Sequence, residues 1–238
     1  GYKAGLFSVQ QNLVNSTLQP VKQEKLTSYE VGTKLSLLDR VVQLNMSAFY
    51  YDYRDKQFFT YIPNIILGAN ALLVNVPKSK VKGGELELVV SPTEGLTLRG
   101  AVTYIKTEVG RFSTFDFQSR PLDVTGSEFN FAAPWSGTFD AQYDIPVGDE
   151  QSIYLGAGAF FNSRTYSNLG ETNDSRIPAY AVFDARIGLA SEKEWKVGLF
   201  VRNLTNKYYY TGVFPTGDTN GRFSGTPRTF GAVASFRF

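Results

Sequence analysis

Glu85 and Glu87 stand two residues apart, the spacing that places two carboxylates on one face of a strand. Paired carboxylates do general acid–base work when the rest of a catalytic site surrounds them. Here the rest is missing. The 238 residues contain no His and no Cys, which removes the commonest general base, the usual zinc and haem ligand, and every thiolate nucleophile or metal site. Gly83-Gly84 is followed by neither a helix start nor a Lys-Ser/Thr pair in phosphate-loop register. The same carboxylate spacing arises on the polar wall of a wet sheet. No enzyme, no metal ion and no cofactor is expected of this chain.

The elements that would carry such a wall are strands. Aromatic residues make up 15% of the chain and charged residues only 19%, below the roughly 25% of a soluble domain. Alternation with period two dominates. Trp135, Gly137, Phe139, Ala141 and Tyr143 oppose Ser136, Thr138, Asp140, Gln142 and Asp144. Phe230, Ala232, Ala234, Phe236 and Phe238 oppose Thr229, Gly231, Val233, Ser235 and Arg237. Ten such strands are expected, over residues 1–7, 23–38, 41–58, 71–90, 95–110, 129–146, 151–164, 176–190, 194–210 and 226–238. The uncharged stretch from Gln57 to Pro77 is long enough for a membrane helix, but Pro63, Asn64, Asn70 and Asn75 argue against one. A net charge of +2 makes no electrostatic case for a nucleic-acid partner.

The connections fall into two alternating kinds. Short turns are expected at Asp39–Arg40, Ser91–Gly95, Val147–Glu150 and Ser191–Glu194, and long loops near 8–22, 59–70, 111–128, 165–175 and 211–225. Short turns at one end and long loops at the other are the habit of outer-membrane barrels. In lipid every backbone polar group needs a protein partner, so a membrane protein without helices must be a closed sheet. Its outer face should be apolar with aromatic girdles, for which Tyr50, Tyr104, Trp135, Tyr143 and Trp195 lie near predicted strand ends. Glu30, Glu85, Glu87, Arg99, Asp140, Asp184, Arg186 and Arg202 would then line the lumen. A soluble sandwich with a solvated face is the competing reading, as is a complete small barrel of about ten strands acting as a passive channel or adhesin.

Several stretches resemble the TonB-dependent receptors. Asn203-Leu204-Thr205-Asn206-Lys207-Tyr208-Tyr209 resembles a stretch near the end of those barrels, and Gly225-Thr226-Pro227-Arg228-Thr229-Phe230-Gly231, running on to Phe236-Arg237-Phe238, resembles their closing strand. Tyr29-Glu30-Val31-Gly32-Thr33-Lys34, the run from Ala48 to Gln57, Gly83-Gly84-Glu85-Leu86-Glu87-Leu88 and Ala133-Pro134-Trp135 are similar to upstream barrel strands, in family order.

The resemblance implies an all-β, antiparallel transmembrane barrel of about 22 strands, with these residues supplying about ten of them as the C-terminal portion over residues 1–238. A plug domain and the segment that contacts the TonB complex would precede it. The implied function is energised import across the bacterial outer membrane, foremost of ferric siderophores, with other scarce nutrients such as glycans or cobalamin as alternatives. Loop cations and aromatics become the candidate ligand contacts: Arg111, Arg120, Tyr166, Arg176, Tyr210 and Arg222. Siderophores are often anionic, and the guanidinium is a planar donor fork suited to carboxylates and catecholates. The lumen residues Glu30, Glu85, Glu87, Arg99, Asp140 and Arg186 would face the plug. Phe236 and Phe238 would form the C-terminal signal read by the barrel assembly machinery, with outer-membrane lipid as the surrounding partner. Alone in water, ten strands of a wider barrel would leave two open edges and form no stable soluble monomer.

Overall fold

A computed structural model describes residues 1–7, 20–64, 68–148, 150–191, 194–216 and 218–236. Ten strands among them form one antiparallel path in which every neighbour in space is a neighbour in sequence. They are β1 (Tyr2–Lys3), β2 (Glu24–Leu37), β3 (Val42–Asn64), β4 (Gly68–Thr93), β5 (Leu96–Val109), β6 (Trp135–Pro146), β7 (Gln151–Asn162), β8 (Tyr180–Ser191), β9 (Trp195–Arg202) and β10 (Thr229–Phe236). No described helix is long and apolar enough to cross a membrane.

Register decides which side chains share a face, because directly paired residues point the same way. One row runs Leu37, Val42, Val90, Leu98, Ala141, Ala157, Ala185, Val201 and Phe230 across nine strands. The next row is Leu35, Leu44, Leu88, Gly100, Phe139, Ala159 and Phe183. Many of these side chains are exposed, Phe230 at 75% and Phe139 at 48%. An apolar face this wide, held open by paired backbones, is a surface built for hydrocarbon. Tyr29, Tyr50, Tyr104 and Trp135 bound it towards the long loops, and Tyr143 and Trp195 towards the short turns. The Tyr104 and Trp135 rings touch at 4.7 Å.

The opposite face is polar. Ser36, Gln43, Val89, Arg99, Asp140, Gly158 and Asp184 form one of its rows, and Gly32, Ser47, Glu85, Thr103, Ser136, Asn162 and Tyr180 another. Tyr154 lies flat over two glycines here, Gly188 and Gly198, where any Cβ would collide with its ring or hydroxyl. Lys196 caps the ring at 4.1 Å.

The strand boundaries depart from the sequence expectation in ways that have local causes. Residues 59–70 are not a long loop: β3 and β4 run on to Asn64 and from Gly68. A crossing strand needs about 9–11 residues. β3 has 23, so this hairpin stands well clear of the membrane. The expected strand 194–210 stops at Arg202, because Asn203 turns left-handed (φ 50°). The strand expected to begin at residue 129 begins at Trp135, after Phe131 (φ 57°) and Pro134, and the one expected from 176 begins at Tyr180, after Pro178. Of residues 1–7, only Tyr2–Lys3 joins the main sheet, while Leu6–Phe7 pairs with Pro20–Val21. Phe238 and most of the expected loop 8–22 lie outside the described residues.

Candidate ligand-binding site

The described long connections gather at one end of the sheet, and short polar motifs give them shape. Residues 163–179 fold back through the short pair Thr165–Tyr166 and Arg176–Ile177. Its turn is closed by Ser175, which is fully buried and donates its hydroxyl to Thr172 O at 2.9 Å. The Ser167 N–H donates to Ser175 O, and the Ser167 hydroxyl accepts the Val213 N–H at 2.8 Å. That second bond docks the hairpin Tyr210–Thr216/Thr219–Ser224 against the first loop.

The docking brings four of the six candidate contacts together. Tyr166 pairs with Arg176 in register, the Tyr210 hydroxyl donates to Arg176 O at 3.5 Å, and the Arg222 guanidinium lies 4.8 Å from the Tyr210 ring centre. Both guanidinium-bearing residues are exposed. An aromatic ring beneath a guanidinium holds it without neutralising it, which leaves its donors free for an anion.

Arg120 and Arg111 sit elsewhere, on the connection after β5. Arg120 donates its Nε to Asp116 Oδ2 at 2.6 Å, its backbone N–H to Asp116 Oδ1 at 2.9 Å and Nη2 to Gln118 at 2.7 Å. Its side chain thus serves its own turn. Arg111 is exposed beside Asp123, whose carboxyl is held below its ordinary value first by the hydroxyl and N–H of Thr125 and then by the Arg111 charge. Reading the loops by residue type passed over Arg164, which was assigned to a strand end. It bridges Glu128 at 3.2 Å and lies 5.2 Å from the Tyr166 ring centre.

Among the polar-face candidates, Arg186 meets Asp140 through both terminal nitrogens, and Arg99 approaches the same carboxylate at 3.7 Å. Glu30 accepts the Tyr51 hydroxyl at 3.0 Å and Glu87 accepts Asn45 Nδ2 at 3.2 Å. Glu85 shares a row with Ser47 and Thr103. Phe236 ends β10 with its ring exposed and pairs with Trp195. Among the described residues no group of His, Cys, Asp and Glu is arranged to hold a metal ion.

The stretch from Asn203 to Tyr209 is a structural clasp. The Asn203 amide donates to Lys207 O and Thr226 O, its carbonyl accepts the Lys207 N–H, and its own N–H donates to Asp184. Asn206 accepts the Arg228 N–H at 3.1 Å. Two left-handed asparagines therefore tie β8, β9 and the entry to β10 together.

Comparison with known proteins agrees with this geometry. The family model for the TonB-dependent receptor-like β-barrel matches residues 1–204. The chain is 22% identical over 204 residues to a probable TonB-dependent siderophore receptor, PiuA, of Acinetobacter baumannii, covering 84% of this chain and 26% of that protein. It is 29% identical over 209 residues to a probable TonB-dependent receptor, BfrD, of Bordetella pertussis, again covering 84% and 26%. The chain thus spans about a quarter of the length of these relatives. The crystal structure of the ferric yersiniabactin uptake receptor FyuA from Yersinia pestis superposes with a TM-score of 0.76 at 21% identity, over 100% of this chain and 34% of that one, which speaks to the fold alone. The apolar band, its aromatic girdles, the sorted loops and the family match together place the chain in the TonB-dependent receptor β-barrel family, whose barrels stand in the outer membrane of Gram-negative bacteria.

Proposed function

We propose that this chain is the C-terminal part of a receptor barrel that imports an anionic ferric siderophore, energised through TonB by a plug domain outside these residues. The observation that carries the ligand class is the exposed pair Arg176 and Arg222, with Arg222 over the Tyr210 ring and Tyr166 paired with Arg176, at the end of the sheet where the long connections gather. Short turns face the periplasm and long loops the exterior in such barrels, so the cluster stands at the mouth. Planar guanidinium forks beside aromatic rings suit catecholate or carboxylate groups around a metal. The polar face, with Glu30, Glu85, Glu87, Arg99, Asp140 and Arg186, lines the lumen and meets the plug, and Phe236 with Phe238 serves barrel assembly. PiuA is named as a probable siderophore receptor, which supports the class and leaves the individual ligand open.

The test is growth of a receptor-deleted Gram-negative strain under iron limitation, complemented by the full-length parent gene or by its Arg176→Ala/Arg222→Ala variant at equal surface expression. Growth restored by the parent on a ferric siderophore and reduced by the variant supports the reading. A parent that restores no growth on any siderophore supplied overturns it.

A further inference from the structure

Beyond import, the outer wall carries a feature that transport does not use. In the row of Tyr29 and Tyr50 and again two rows nearer the loops, on the apolar face, register sets basic side chains directly against one another. Lys82 pairs with Lys106, Lys25 pairs with Arg54, and Arg54 pairs with Lys78. Like charges directly opposite on paired strands are destabilising. Three such pairs on adjoining strands therefore need an outside cause.

Their level in the membrane supplies one. Lys82 and Lys106 share a row with Tyr29 and Tyr50, the residues that mark the interface. Between the two basic rows lies a third row holding Asp52, Lys80 and Glu108, in which Lys80 is satisfied by Glu108 at 2.9 Å. Lys25, Arg54, Lys78, Lys82 and Lys106 are exposed, and no ion pair is formed by any of them among the described residues. They stand at headgroup height on the side that faces lipid, so the chemistry that fits them is a phosphate-bearing headgroup of the outer leaflet. We infer that Lys25, Arg54, Lys78, Lys82 and Lys106 form a docking stripe for a phosphorylated outer-leaflet lipid, whose phosphates relieve the cation–cation pairs.

The experiment uses the full-length receptor in detergent and reads association with lipid A, with dephosphorylated lipid A and with inorganic phosphate. Each basic residue near an anionic surface contributes about fivefold. A Lys25→Gln/Lys78→Gln/Lys82→Gln/Lys106→Gln variant is therefore expected to bind lipid A about 600-fold more weakly. The Lys34→Gln control, on the polar face, is expected to bind as the parent does. The parent is expected to prefer lipid A over its dephosphorylated form, and millimolar phosphate should not displace it. In lipid-free detergent the quadruple variant should melt no lower than the parent, because repulsion has been removed. Unchanged lipid A binding, equal binding of the dephosphorylated lipid, displacement by free phosphate, or a lower lipid-free melting point each overturns the inference. Iron uptake enters none of these readouts.

Discussion

Arg186 reaches across Gly156 to hold Asp140, with its two terminal nitrogens 2.7 and 3.0 Å from the two carboxylate oxygens. Arg186 and Asp140 are on β8 and β6; between them on β7, Gly156 pairs with Arg186, and Asp140 pairs with Gly158, two residues along, so the guanidinium crosses diagonally. A Cβ at Gly156 would sit 2.5 Å from the Arg186 guanidinium carbon. The glycine is there for close approach, and its backbone is ordinary strand. Gly156→Ala is therefore expected to push the guanidinium off Asp140 and cost about 1.5–3 kcal/mol, the range for hydrogen bonds to charged groups. The same substitution in an Arg186→Ala background should cost far less. Thermal unfolding of the full-length receptor as a double-mutant cycle measures this, and equal costs in both backgrounds would sink the idea.

A second prediction concerns a lysine that the fold has nearly buried. Lys56 Nζ lies 3.6 Å from Glu24, and 4.1, 5.1 and 5.2 Å from the ring centres of Tyr53, Phe58 and Phe129. Glu24 also accepts the Gln57 N–H at 2.8 Å. Removing one partner of a buried pair strands the other charge, at about 3–5 kcal/mol. Lys56→Met should loosen the upper β3–β4 hairpin by that order, and adding Glu24→Gln should recover most of the loss. Hydrogen exchange across residues 56–64 reads the effect. No recovery in the double variant would show that packing alone, rather than the stranded carboxylate, sets the cost.

The Asp116–Arg120 turn gives a pH prediction. Partial burial pushes the Asp116 carboxyl up, but the Arg120 backbone N–H and guanidinium outweigh it and hold the group below its ordinary value. A carboxylate with a depressed folded-state pKa contributes stability above its unfolded value, about 3.9, and loses it as pH falls through the folded value. The Ser119 amide, which donates to Asp116 O at 2.9 Å, should stay equally protected from neutral pH down to about 4 and lose protection below. Loss of protection beginning near neutral pH would contradict this.

The same geometry separates Arg120 from the cluster at the mouth. Its donors are engaged by Asp116 and Gln118, whereas Arg222 rests on a ring and its guanidinium makes no hydrogen bond or ion pair among the described residues. Arg120→Ala should change siderophore affinity by no more than about twofold, as surface substitutions do. Arg176→Ala/Arg222→Ala should weaken it at least tenfold, at about 1.5 kcal/mol for each lost charged hydrogen bond. Binding to cells at equal receptor density distinguishes them, and an Arg120 effect as large as the pair's would refute the distinction.

Much of this was legible in the residues. Period-two alternation located all ten strands of the main path, because a sheet with lipid on one side and water on the other writes its faces into every second residue. The polar-face residues were found by the same parity. What parity cannot show is how loops fold on one another. Tyr166, Arg176, Tyr210 and Arg222 were chosen by type, but their meeting depends on one hydroxyl, that of Ser167, reaching Val213. Arg164 was missed because it continues a strand pattern, although β7 ends at Asn162. The long reach of β3 and β4 was hidden by a change of phase within them.

That change of phase sits at Asp55. Its φ is 52°, and the ladder that pairs Arg54 with Lys78 and Lys56 with Val76 skips the position between, opposite Pro77. Below it, odd-numbered Tyr51 and Tyr53 pack towards the loop core; above it, even-numbered Lys56 and Phe58 do, with Phe58 and Val76 buried in that core. Asn75 fixes the kink by donating its side-chain N–H to Asp55 O at 2.7 Å. A left-handed non-glycine residue costs about 1 kcal/mol, and a β-branched one more. Asp55→Gly should therefore be neutral or stabilising by up to about 1 kcal/mol. Asp55→Val should cost about 1–3 kcal/mol and favour continuous pairing, which would turn Lys56 and Phe58 away from Phe129. Proteolytic nicking within residues 56–76 should slow or stay unchanged in the glycine variant and accelerate in the valine variant. If both variants are cut at the parent's rate, the phase change is held by the surrounding loop core and not by the backbone at residue 55.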